Sequence, residues 1–165
     1  MNSGGHWQRA SYLLSAVGAA TSIRFTELLA PIGLQPAHFG VLRRLLDNEG
    51  SSQQEIADAA RVRRSVMVGL IDELESRGWV ERRRHPVDRR ANALHLTPEG
   101  RHALASADQS AQQLDEELLA AIPAQARAGF LEHLQRLGIA TGVADGVYPV
   151  PPDDRTDTPR RVLRS

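Results

Sequence analysis

The chain has no cysteine and no lysine; all 20 of its basic residues are arginine. Without cysteine there are no disulfides, no thiolate-bound zinc and no thiol redox sensing. A reducing cytoplasm suits such a chain, and that is where it is expected. The all-arginine usage has two readings, which the sequence leaves open. It is the trace of a GC-rich coding sequence, or it reflects the fork that arginine offers to phosphate and guanine. Aromatics make up only 4% of residues, so the core must be built from Leu, Val, Ile and Ala, a composition that favours helix. No run of about 18 apolar residues is present, and the N-terminus lacks the charged-then-apolar pattern of an export signal. HExxH, P-loop, GxSxG and strand-to-helix GxGxxG patterns are missing. An enzyme is therefore not expected, nor a cofactor. The six histidines at 6, 38, 85, 95, 102 and 133 include no pair at the i, i+3 or i+4 spacing of a helical metal site, so no metal is expected, and metal-responsive regulation is the lesser alternative.

What is present suits a single domain of 165 residues with a net charge of zero. Overall neutrality argues against a nucleic-acid partner until the charges are placed. From Arg77 to Arg90 six arginines face only Glu81 and Asp88, a local balance of 6 − 2 = +4, while acids gather at 72–75 and 115–117.

Apolar residues recur at helical spacing from about 6 to 30, where Pro31 and Gly33 stop the pattern. Pro36 opens a second helix that ends near 48–50. Ser52 and Glu55 form a capping-box pattern for a short helix over 53–60. Arg61-Val62 is a turn, and a further helix runs from 63 or 64 to 77, with Val66, Leu70, Ile71 and Leu74 inward and Gly78 as its stop. Two short helices across a tight turn make a helix-turn-helix. Residues 79–84 and 91–96 then form two strands around the charged turn 85–90, a wing. Thr97-Pro98 starts a helix to about 121, and Pro123 opens a last one to 137 or 138. Pro and Gly interrupt any periodicity after Thr141. The expected fold is mainly α (α+β): a winged helix-turn-helix lobe over 34–97, and an all-helical dimerisation layer from 6–33 and 98–140. A Pro/Arg-rich tail over 141–165 follows. The terminal helices carry more apolar surface than one subunit can cover, so a homodimer is expected.

Arg63, Arg64, Ser65 and Met67 fall on the first turn of the second helix of the motif, where base-reading side chains sit. Arg83, Arg84, Arg89 and Arg90 are the wing's candidates for phosphate and minor groove, with Asp88 spaced to brace an arginine. Gln53 and Gln54 open the capped helix, where they serve phosphate or merely solvent.

These residues carry a resemblance. LQPAHFGVLRRL, then DELESRGWVERRRHPVDRR followed by LHLTPEG, is similar to the MarR family of bacterial transcriptional regulators. The resemblance covers about residues 6–140 and implies a triangular homodimer of winged helix domains. It further implies a palindromic operator in double-stranded DNA, repression of nearby genes, and release by a small, often aromatic or phenolic, ligand bound between the dimerisation helices and the DNA lobe. Trp7, Arg9, Tyr12 and His38 are the candidates for that ligand, although the two aromatics would equally suit the core or an interface. Gln35, Met67 and Arg63 depart from the family's usual residues, which points to an operator preference of its own. A non-specific architectural DNA binder is the other alternative.

Overall fold

The computed structural model describes residues 8–84 and 92–143. Eight elements of regular structure follow one another there. They are α1 (Ala10–Leu29), α2 (Pro36–Asp47), α3 (Gln53–Ala60), α4 (Arg64–Ser76), β1 (Val80–Arg84), β2 (Asn92–Leu96), α5 (Pro98–Ala120) and α6 (Arg127–Thr141), with one-turn 3-10 helices at Ala30–Ile32 and Ala124–Ala126.

Local chemistry sets the ends of these elements. Ser52 Oγ accepts the Glu55 N–H at 3.3 Å, and the Glu55 carboxylate accepts the Ser52 N–H at 2.7 Å, so the capping box is complete. Gly78, at φ 71°, takes the left-handed position that ends α4. Thr97 Oγ1 accepts the Gly100 N–H at 2.9 Å and donates to the Gly78 carbonyl at 2.6 Å, tying the end of α4 to the start of α5. Pro36 and Pro98 occupy first helical positions, where a missing N–H costs nothing. Pro123 behaves differently. Its ψ of 138° is extended, so it opens a single 3-10 turn, and α6 begins four residues later than the sequence suggests.

One apolar cluster joins all these elements except α6. Phe25 and Leu29 of α1 meet Phe39, Leu42 and Leu45 of α2, with the Phe25 and Phe39 rings edge-to-face at 5.4 Å. Ile56, Ala57, Met67, Ile71, Leu74, Val80, Leu94 and Leu104 complete it. On α4 the buried stripe is Met67, Ile71 and Leu74; Val66 and Leu70, expected inside, are only half-buried. Ile71 and Leu74 thus face inward as expected, and Met67 joins them in the core in place of Val66 and Leu70.

The ribbon pairs Val80 with Leu96, Arg82 with Leu94 and Arg84 with Asn92 in antiparallel register. An isolated two-stranded ribbon is marginal, and this one is supported on its second edge. Leu94 N–H donates to the Ser51 carbonyl and Gly50 N–H to the Leu94 carbonyl, both at 2.9 Å, while Ser52 bridges Ala93. Glu49 adds a carboxylate that accepts the Leu96 N–H at 3.2 Å and pairs with Arg101 of α5 at 2.6 Å.

The terminal helices form the outer part. Arg24 of α1 grips Glu117 of α5 through two bonds, at 2.8 and 2.7 Å. Tyr12, Leu13, Leu14, Val17 and Ile23 of α1 and Phe130, Leu131, Leu134 and Leu137 of α6 are exposed. The stretch Ala10–Ile32 is long and apolar enough on average to cross a membrane, which counting uninterrupted apolar runs does not reveal. Its C-terminal end is nevertheless committed to this fold, through buried Phe25 and Leu29 and through the Arg24–Glu117 clamp.

Candidate nucleic-acid interface

The helix-turn-helix is closed by Arg61. At φ 53° it is the one non-glycine residue among those described with a positive φ, and its N–H caps α3 by bonding to the Asp58 carbonyl at 3.1 Å. The Val62 N–H returns to the Ala57 carbonyl at 3.0 Å. Arg63 follows as the N-cap of α4. Its carbonyl accepts the Val66 and Met67 N–H groups at 3.0 and 3.1 Å, and its side chain makes no capping bond. Arg63, Arg64 and Ser65 are all exposed at the positive end of the α4 dipole, where backbone N–H groups also face outward.

Met67 is a correction. It was expected beside them, but it is fully buried, packed with Ile71 and Leu74. The outward stripe of α4 instead continues from Arg64 and Ser65 to Val68, 37% exposed, and Gly69. A short apolar side chain and a glycine there suit contact with a thymine methyl and close backbone approach. The sequence contained the signal: with Ile71 and Leu74 as the inward stripe, Val68 and Gly69 fall outside.

The two glutamines differ from one another. Gln54 is exposed and donates to Asp58 one turn on, at 2.7 Å. Gln53 is half-buried, and its Nε2 is covered without a partner among the described residues.

The strand arginines also separate. Arg82 turns back onto α4, where it pairs with both Asp72 and Glu75. Arg83 is exposed and pairs with Glu81 two residues before it, and Arg84 is exposed beside Asn92. Asp88, Arg89 and Arg90 lie outside the described residues.

Of the proposed ligand residues, those described lie in different surroundings. Trp7 lies outside the described residues. Arg9 is the exposed N-cap of α1 and Tyr12 is 42% exposed on its first turn. His38 is 1% exposed, within the lobe core. Its Nε2 lies 2.9 Å from a Glu73 carboxylate oxygen, off the line of a good hydrogen bond, and its Nδ1 has no partner among the described residues. Tyr12 lies roughly 20 Å along α1 from Phe25, the residue of α1 whose ring meets Phe39, the neighbour of His38 on α2. A cavity of about 610 Å³ opens elsewhere, between Ile32 and Trp79 on one side and Pro98, Glu99, His102 and Ser106 of α5 on the other. It lies where the helical layer meets the DNA lobe. Arg77 covers the Trp79 ring at 5.2 Å and donates to the Gly33 carbonyl at 2.6 Å.

Comparison with known proteins agrees with this architecture. The MarR family model matches residues 32–91. A putative transcriptional regulatory protein for the hcr operon of Thauera aromatica is 35% identical over 105 residues, which is 64% of this chain and 63% of that relative's length. The transcriptional repressor CouR, solved on a 23-mer DNA duplex, superposes with a TM-score of 0.76 at 32% identity, covering 84% of this chain and 98% of the other. CouR from Rhodococcus jostii RHA1 has also been solved with p-coumaroyl-CoA, at a TM-score of 0.68, 31% identity and coverage of 81% and 93%. A Mycobacterium tuberculosis MarR family protein in complex with salicylic acid gives a TM-score of 0.65 at 31% identity, covering 79% and 96%.

Proposed function

The chain belongs to the MarR family of transcriptional regulators, and on that premise we propose that it is a homodimeric repressor of nearby genes. It binds a palindromic operator and is released by a small aromatic or phenolic ligand. The observation that carries this reading is the outward face of α4: Arg63, Arg64 and Ser65 exposed at the helix N-terminus, backed by a buried stripe that fixes their direction. Arg63 and Arg64 supply the forked donors that suit guanine or phosphate, and Arg84 with Arg89 and Arg90 serves the adjacent groove. Gln53 and Gln54 lie at the N-terminus of α3, where phosphate is favoured.

The exposed apolar faces of α1 and α6 support the dimer, because such a surface on one chain suits a second copy. Two-fold symmetry then calls for a palindrome with half-sites about one helical turn apart. The solved complexes of relatives with p-coumaroyl-CoA and salicylic acid support an effector of aromatic character. The cavity beside Trp79 and His102 is a better seat for it than Arg9, Tyr12 and His38, of which the first two are exposed on α1 and the third is buried in the lobe.

Mobility shift on a palindrome from the protein's own upstream region, against a random duplex at fixed salt, tests the reading. Preference for the palindrome is expected, with a steep loss of affinity as salt rises. Equal affinity for both duplexes would sink it and leave a non-specific architectural binder.

A further inference from the structure

Three arginines crowd the entrance to α4 with no carboxylate among them. Arg61, Arg63 and Arg64 are exposed, and among the described residues none of them makes an ion pair, whereas Arg24, Arg43, Arg82, Arg83, Arg101 and Arg136 each do. Arg61 Nη1 donates instead to the Gly142 carbonyl at 2.8 Å. A carbonyl satisfies one N–H but leaves the guanidinium charge uncompensated. Gly142 is the left-handed cap that ends α6, so this bond holds the end of α6 against Arg61. Val143 departs beside the turn that leads into α4.

The sequence that follows is divided by charge. Before Thr158 stand Asp145, Asp153, Asp154 and Asp157 against Arg155, a balance of 1 − 4 = −3; after it stand Arg160, Arg161 and Arg164, a balance of +3. Asp153 is ten residues beyond Val143. A stretch of that length reaches at most roughly 35 Å, so the acidic half is within range of Arg61.

We propose that Arg61, Arg63 and Arg64 form a docking surface for the chain's own acidic segment, residues 153–157, which competes there with DNA phosphate. The inference rests on the DNA-reading role given to that surface above. Carboxylate and phosphate use the same guanidinium donors, so occupancy by one excludes the other. A single exposed pair is weak, but the tether makes the encounter intramolecular, so it does not depend on the protein's concentration. Salt screens the contact. Competition falls hardest on random DNA, which offers phosphate alone, and less on an operator, which adds base edges.

The full-length Asp153→Asn/Asp154→Asn/Asp157→Asn variant tests this, beside Arg160→Ala/Arg161→Ala/Arg164→Ala. Two measurements are made: backbone amide NMR shifts of residues 61–65 without DNA, and affinity for a random-sequence duplex at about 50 mM and about 300 mM salt. In the acidic variant the 61–65 amides are expected to move. Random-duplex affinity should rise about threefold to tenfold at the lower salt, and the gain should vanish at the higher. The arginine variant should leave those amides in place. Unmoved amides in the acidic variant overturn the docking whatever DNA does, and so does weaker binding of that variant. Because the amide measurement needs no DNA, a protein that fails to prefer its palindrome overturns the functional reading without deciding this one.

Discussion

The Cα of Gly100 lies so close to the Trp79 backbone that a Cβ built on it would come within 1.9 Å of the Trp79 carbonyl oxygen. Backbone cannot rotate out of the way as a side chain does. The same carbonyl accepts the Thr97 N–H at 3.1 Å, so it is held from the other side. Gly100→Ala is expected to destabilise the fold by at least about 2 kcal/mol. A loss of unfolding free energy in urea below about 0.5 kcal/mol would show that the junction yields.

Met67 and its neighbours on α4 divide stability from binding. Met67→Ala empties a fully buried site and should cost about 2–5 kcal/mol of stability, while Met67→Leu keeps both fold and binding. Arg64→Ala should leave the unfolding midpoint in place and weaken operator binding. If Arg64→Ala weakens all sequences equally, the residue holds phosphate and does not read a base.

Arg82 is a positioning residue for the wing. Its pairing with Asp72 and Glu75 attaches β1 to α4 and keeps it off phosphate. Arg82→Gln should lower operator affinity with no change in the salt slope. Arg84→Ala should flatten that slope by about one unit, as loss of a phosphate contact does. A flattened slope for Arg82→Gln would show that it reaches DNA.

Mild acid should loosen the DNA lobe through His38. Burial holds its pKa below the ordinary 6.5, outweighing the Glu73 carboxylate, and Arg77 lowers it further. With the folded pKa depressed, the unfolded chain takes up the proton first. Stability is therefore full above pH 6.5 and declines as pH falls below it. His38→Leu should remove that decline. The Arg24–Glu117 clamp acts in a lower window. Glu117 is brought down to about 2, chiefly by its bond to Arg24, so its contribution is full above the ordinary 4.5, declines below it and is gone once pH has fallen through about 2. Thermal melts of both proteins between pH 5 and 7.5, conditions set about the ordinary histidine pKa, measure the His38 difference.

The exposed apolar face of α6 should be a subunit contact. Leu134→Glu, at a residue 37% exposed in the single chain, is expected to yield a folded monomer in sedimentation, with operator affinity lowered at least about a hundredfold as two linked half-sites become one. A dimer that survives both this change and Leu131→Glu would place the interface elsewhere.

The sequence by itself determined the order and nearly all the ends of the elements, because those depend on local chemistry. Ser52 with Glu55, Gly78, and Thr97 with Pro98 each satisfy or silence backbone groups within four residues. Charge clustering and the helix-turn-wing order likewise pointed to DNA without any tertiary knowledge. On α4 the helical period already set Ile71 and Leu74 inward. Val66, Met67 and Leu70 are all apolar as well, and tertiary structure alone buried Met67 fully and left the other two half-buried. It alone turned Arg82 inward, since its partners lie seven and ten residues back on another element. It buried His38 beside Glu73, opened the cavity at Trp79 between segments distant in sequence, and set Gly142 on Arg61, 81 residues away. Local rules fix where helices begin and end; which of several equally apolar or equally charged side chains meets a partner depends on surfaces that exist only once the chain has folded.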